Sequence, residues 1–153
     1  MGSWGFMALE SDNGLDVIDF LKEHIPNDLN LKLSEIISDF KGELLGESFD
    51  DIDFLYDNTA IAIAELYFMF KDTNELDFDD DDKEMSLKNI KTFTANKDSL
   101  KYILKYLMDI KNNVPDKKGG REIVELNIDN KEWNNHLDEL ILRMNEEIKI
   151  IKQ

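Results

Sequence analysis

The chain has 153 residues, enough for one domain, with 42% apolar residues to build a core and 34% charged residues to solvate it. It has no cysteine, which excludes disulfides and any thiolate metal or redox site. A net charge of −16 repels phosphate backbones and anionic lipid, which argues against direct nucleic-acid or membrane-surface binding.

The charge is not spread evenly. Residues 1–84 hold 23 Asp and Glu against 5 Lys, whereas residues 85–153 hold 11 against 13 Lys and Arg. The acidic excess therefore lies wholly in the N-terminal half. No apolar run approaches the roughly 18 residues of a membrane span. No basic residue precedes Lys22, and Glu10, Asp12 and Asp16 come early, so the expectation is a cytoplasmic chain without a signal peptide.

In chain order, Asp12 or Asn13 opens a first helix, Asn13 and Asp16 having capping-box spacing. Val17, Phe20, Leu21 and His24 form its apolar stripe, and Pro26 ends it. A second helix is predicted over about 29–45, with Leu33, Ile36, Ile37, Phe40 and Leu44 at helical spacing and Gly46 closing it. Ser48 and Asp51 form another capping box, opening a third helix that runs to about Lys71. From Ile61 to Met69 that helix is apolar on every side, which marks either a buried central helix or one shared across a homodimer interface. Residues 72–84 make an acidic loop. Helical pattern resumes over 86–93 and again over 96–111, where Leu100, Ile103, Leu104, Leu107 and Met108 share a face. Pro115, Gly119 and Gly120 mark a loop, and 121–128 fits a short strand or a helical turn. A last helix carries Trp133, Leu137, Leu140, Ile141, Met144 and Ile148. These elements predict a predominantly all-α single domain, an irregular bundle of five to six helices.

The acidic loop has oxygen ligands at the first, third and fifth positions of a calcium loop, Asp77, Asp79 and Asp81. Asp82 then stands where the turn needs Gly, and Lys88 where the bidentate Glu belongs. A solvated loop is the simpler account. Glu132, His136 and Glu139 lie one turn apart, with Arg143 beyond. They flank the apolar stripe, which favours an intrahelical charge ladder over a metal site. With two histidines in the chain, no His-rich metal site can form, and His24 reads as a helix cap. There is no Gly-x-Ser-x-Gly elbow and no phosphate-cradling Gly loop. No catalytic residue, cofactor or metal is assigned. Glu65 stands apart as the sole charge between Asp57 and Lys71. Buried, it needs a partner or a raised pKa; otherwise it marks an edge of the helix that touches water, or pairs with a nearby lysine.

The Met1-Gly2-x-Trp4-Gly5 start, followed by Asp12 and then Leu15-Asp16, resembles the bacterial family called domain of unknown function 4259. Glu122–Leu126 followed by Glu132-Trp133 and Leu137-x-x-Leu140 looks like that family's closing helix pair, with Leu126-Asn127 where the family has Leu-Trp. The resemblance implies a helical bacterial cytosolic protein and brings no activity, substrate or catalytic residue. Physically, Gly2, Trp4, Gly5, Asp12 and Asp16 read as a structural anchor: a tight chain around an indole, leading into the first helix cap.

The leading functional expectation is a non-catalytic interaction protein of the immunity or inhibitor type, docking a basic protein through its acidic half. Its contact residues would be Asp50, Asp51, Asp53, Asp57, Asp77, Asp79, Asp80, Asp81 and Asp82, with Phe49, Phe54 and Phe78 as aromatic anchors. The alternatives are a metal-dependent or carboxylate-based enzyme, and a housekeeping helical module whose acidity serves solubility.

Overall fold

A computed structural model describes residues 7–49, 51–76, 87–114 and 121–151. It is predominantly α-helical, an irregular bundle with six α-helices and one two-stranded parallel sheet among the described residues. A 3-10 turn, Ala8–Glu10, leads into α1 (Asp12–Glu23). The cap of α1 is Ser11 rather than Asp12 or Asn13: its hydroxyl accepts from Gly14 N–H at 3.2 Å and donates to Ala8 O at 2.6 Å. Gly14 is required there, because a Cβ would sit 2.2 Å from Ala8 O. At the other end, His24 is the C-cap and stacks on Phe20.

The predicted second helix is shorter than its pattern suggested. Leu29 adopts a left-handed φ of 60°, and the chain then enters β1 (Asn30–Lys32) before α2 (Leu33–Phe40) begins. Likewise 86–93 is not helical throughout. A 3-10 turn at Leu87–Asn89 is followed by β2 (Thr92–Thr94), which pairs in parallel with β1, placing Leu31 beside Phe93. Both of these side chains are buried while Lys32, Thr92 and Thr94 are exposed. Three-residue strands are too short to show their two-residue alternation against a helical background.

The third helix also starts later than its capping box implied. Ser48 and Asp51 close a turn, and α3 (Phe54–Thr73) is capped by Asp53, whose carboxylate accepts from Leu55 N–H at 2.8 Å. Gly46 allows this detour, since a Cβ on it would lie 2.6 Å from Asp51 O. Every residue of α3 from Asp57 to Phe68 is buried. The cover comes from the same chain: α1, α4 (Lys97–Lys111), α5 (Glu122–Leu126), α6 (Lys131–Ile150), β2 and the first 3-10 turn all pack on it. Its all-round apolarity is therefore that of a central helix. The segment 121–128, open between strand and turn from the sequence, contains α5. The outer helices α4 and α6 pack along each other, with Leu100, Ile103, Leu107 and Ile110 facing inward on α4 and Trp133, Leu137, Leu140 and Met144 on α6. On α4 the inward face is turned relative to the predicted stripe, so that Tyr106 is buried and Met108 is exposed. No helix among the described residues is long and apolar enough to cross a membrane.

Candidate functional site

The polar side chains fall into two sets, one enclosed around α3 and one on the surface of the N-terminal half. Three sets of polar contacts join α3 to α6: Glu65 with His136, Tyr67 and Lys71 with Glu147, and Asp72 with Arg143. Glu65 comes first. Its side chain has 0% exposure, and its two oxygens accept from the backbone N–H groups of Ala8 at 2.8 Å and Leu9 at 2.9 Å. His136 Nε2 on α6 completes the set at 2.6 Å. Glu65 therefore marks neither a wet edge nor a lysine pair. His136 likewise reaches across to α3, bonding Glu65. Further along, Glu147 accepts from the Tyr67 hydroxyl and from Lys71 Nζ, both at 2.6 Å. Burial and the neighbouring carboxylate push the Tyr67 phenol well above its ordinary range. At the end of α3, Arg143 forks onto Asp72 through two hydrogen bonds of 2.7 and 3.0 Å and stacks over Phe68. That fork holds the exposed Asp72 carboxyl below its usual range.

At the opposite end of α3, Asp57 is 1% exposed and bonded to Arg121, itself 2% exposed. Asp57 is thus a core residue and is corrected out of the acidic contact set. Arg121 also donates to Val114 O at 3.0 Å, and its second terminal nitrogen lies 4.0 Å from Asp109, which Lys105 engages at 2.8 Å. Among the described residues, Asp57 Oδ2 has no hydrogen-bond partner. Burial pushes the Asp57 carboxyl up to about 7 against the pull of Arg121, with Asp53 and Asp109 adding to the rise.

Other proposed contact residues divide by burial. Asp51 and Asp53 are exposed, and Asp53 also serves as the α3 cap. Phe49 is partly buried and engaged within the chain, 4.8 Å from the Tyr102 ring and 5.2 Å from Tyr106. Phe54 is also partly buried and packs on the core. Asp50, Asp77, Phe78, Asp79, Asp80, Asp81 and Asp82 lie outside the described residues, as do Gly2, Trp4 and Gly5 of the anchor. Asp12 and Asp16 are exposed.

These last two belong to a feature that the sequence reading did not assemble. Asp12, Asp16, Asp19 and Glu23 recur at spacings of four, three and four on α1, and all four are exposed. That spacing places them on one helix face. Glu35 and Asp39, one turn apart on α2, border a shallow cleft that also touches His24 and Pro26. From α1 and its C-cap, the cleft is lined by Leu21 and His24, not by the four carboxylates. Among the described residues, none of the four α1 carboxylates makes an ion pair, whereas Glu35 meets Lys32 at 4.0 Å. The signal for this ladder was available in the sequence, in the same periodicity used for apolar residues.

Among the described residues, no group of three or more His, Asp or Glu side chains is placed to hold a metal ion. No family model matches the chain, and neither a curated protein nor a solved structure matches it. The likeness to domain of unknown function 4259 rests on the quoted residues alone.

Proposed function

We propose that this is a non-catalytic interaction protein, of the inhibitor or immunity type, that docks a basic protein partner through its acidic N-terminal half. The observation that carries this reading is the carboxylate ladder Asp12, Asp16, Asp19 and Glu23, exposed and without an ion pair among the described residues. Like charges one turn apart destabilise a helix by about 0.2–0.5 kcal/mol per pair, and Asp19 and Glu23 also sit toward the negative end of the helix dipole. A basic surface would relieve that repulsion on contact. Such a field also speeds encounter, commonly by about 10- to 1,000-fold, and salt screens the effect. The carboxylates in unusual surroundings, Asp57 and Glu65, are enclosed and committed to Arg121 and His136. That supports a structural role for them over one in an enzyme.

The test uses the full chain as bait at low and high salt, beside a variant carrying Asp12→Asn, Asp16→Asn, Asp19→Asn and Glu23→Gln. A basic protein retained by the wild type at low salt, released by high salt and lost with the variant is the expected result. Equal retention by both baits, or no retention by either, would leave the acidity as a solubility device and end this reading.

A further inference from the structure

The junction at Glu65 joins three elements through one carboxylate. Its oxygens hold two consecutive backbone N–H groups of the Met7–Glu10 segment and the His136 ring. A carboxylate only accepts, so His136 Nε2 carries a hydrogen in this contact. Two states of the ring satisfy that geometry. A neutral ring satisfies the oxygens but brings no positive charge to a carboxylate whose side chain has 0% exposure. A cationic ring gives the same contact as a charge-assisted hydrogen bond and cancels the charge.

The other ionisable groups that the packed elements bring toward this junction make the difference matter. The 3-10 turn carries Glu10, and α6 carries Glu132 and Glu139 a turn either side of His136; all three are acidic, and the α1 acids Asp12 and Asp16 are exposed to solvent. α3 has no other charged residue between Asp57 and Lys71. On α4, Lys111 is engaged by Asp138 at 2.6 Å, and farther along α6 Arg143 is committed to Asp72. The imidazole is placed to supply the compensating charge. His136 is 15% exposed on its side chain, so a proton can reach it from solvent.

We propose that Glu65 and His136 form a proton-operated clasp on Met7–Glu10: with His136 cationic the segment is held against α3, and loss of that proton loosens it. The effect reaches α1, because Ala8 O accepts the hydroxyl of the α1 cap Ser11 and the Ala8 and Leu9 backbone closes on Gly14. Loosening the segment therefore frays the first turn of that helix. The clasp is independent of what the acidic face binds.

The test is amide hydrogen exchange and proton NMR on the isotope-labelled full chain between about pH 5 and 8, the range in which histidine charge changes. Protection of the Ala8 and Leu9 amides, corrected for intrinsic exchange, is expected to fall by about tenfold or more over the interval in which the His136 Cε1–H resonance titrates. It should not follow the resonance of His24, which is exposed and remote in sequence. Amides in the middle of α3, such as Ile63, should hold. In His136→Gln, which keeps a donor but cannot become cationic, Ala8 and Leu9 protection is expected to be flat with pH. Flat protection through the wild-type His136 titration overturns the proposal, as does a His136 resonance that does not move, or a wild-type step that survives in His136→Gln. Should that variant fail to fold, the wild-type comparison of the two histidines decides alone.

Discussion

Helices α1 and α3 both carry carboxylates, and they treat them in opposite ways. On α3 the buried acids are each met by a group far along the chain: Asp57 by Arg121 and Glu65 by His136. On α1 the four acids of the outer face have no ion pair among the described residues. A buried charge left alone costs several kcal/mol, so the fold must provide for it; an exposed one is left to water and costs little. The contrast separates carboxylates that build the molecule from carboxylates that are free to act on something else. Acidity in the sequence does not make that distinction, which is why Asp57 was grouped with Asp51 and Asp53.

The sharpest way to break the contrast is at Asp57. Asp57→Ala strands a guanidinium that cannot give up its proton, leaving Asp109 at 4.0 Å as its remaining carboxylate. A loss of about 3–5 kcal/mol in unfolding free energy is expected by urea titration. Arg121→Met should cost less, because the stranded carboxyl can take up a proton. Equal losses would contradict that asymmetry. Glu65→Ala comes next: it leaves the Ala8 and Leu9 N–H groups without their acceptor, at about 1–3 kcal/mol each for a donor left buried and unsatisfied. Local release of Met7–Glu10 will relieve part of that, so faster proteolysis ahead of Ser11 is the accompanying sign.

A third prediction concerns pH. Asp57 is raised in the folded chain from 3.8 to about 7, so the folded state binds a proton that the unfolded chain has already lost. Its contribution to stability is full below its ordinary value and is lost as pH climbs through about 7. Unfolding midpoints measured from pH 4 to 8 should carry this falling component, and Asp57→Asn should remove it. The smallest effect belongs to α1. Replacing Asp12, Asp16, Asp19 and Glu23 by their amides should leave stability unchanged or raise it by about 0.2–0.5 kcal/mol per relieved pair. A clear loss of stability would show that these acids also have structural work and would blur the contrast with α3.

Much of this organisation was legible in the chain. The bounds of α1, the buried middle of α3, the start of α4 at Asn96 and the inward face of α6 follow from periodicity and caps that act over a few residues. What was not legible depends on distant partners. Glu65 stood out as the lone charge in an apolar helix, yet a buried partner, a wet edge and a lysine pair all stayed open, because its acceptor geometry is completed by residues 56, 57 and 71 positions away. β1 and β2 were absorbed into helical patterns for the same reason, since each is defined by pairing with the other. The Ser48–Asp51 box had the right local form, but the close approach at Gly46 turned the chain before Asp53 could cap α3.

The polar contacts between α3 and α6 bear on how the chain is made. α3 is complete by residue 73, but the partners for its polar groups arrive with Arg121, His136, Arg143 and Glu147. A nascent chain that has emerged only through α4 holds the central helix with Asp57, Glu65 and Lys71 still lacking those partners. Burying that helix early would strand charge, so consolidation waits for the last quarter of the protein. The molecule is therefore expected to acquire its core in one late cooperative step after α6 leaves the ribosome. Truncation ahead of α6 should yield an expanded, protease-sensitive chain rather than a smaller stable domain.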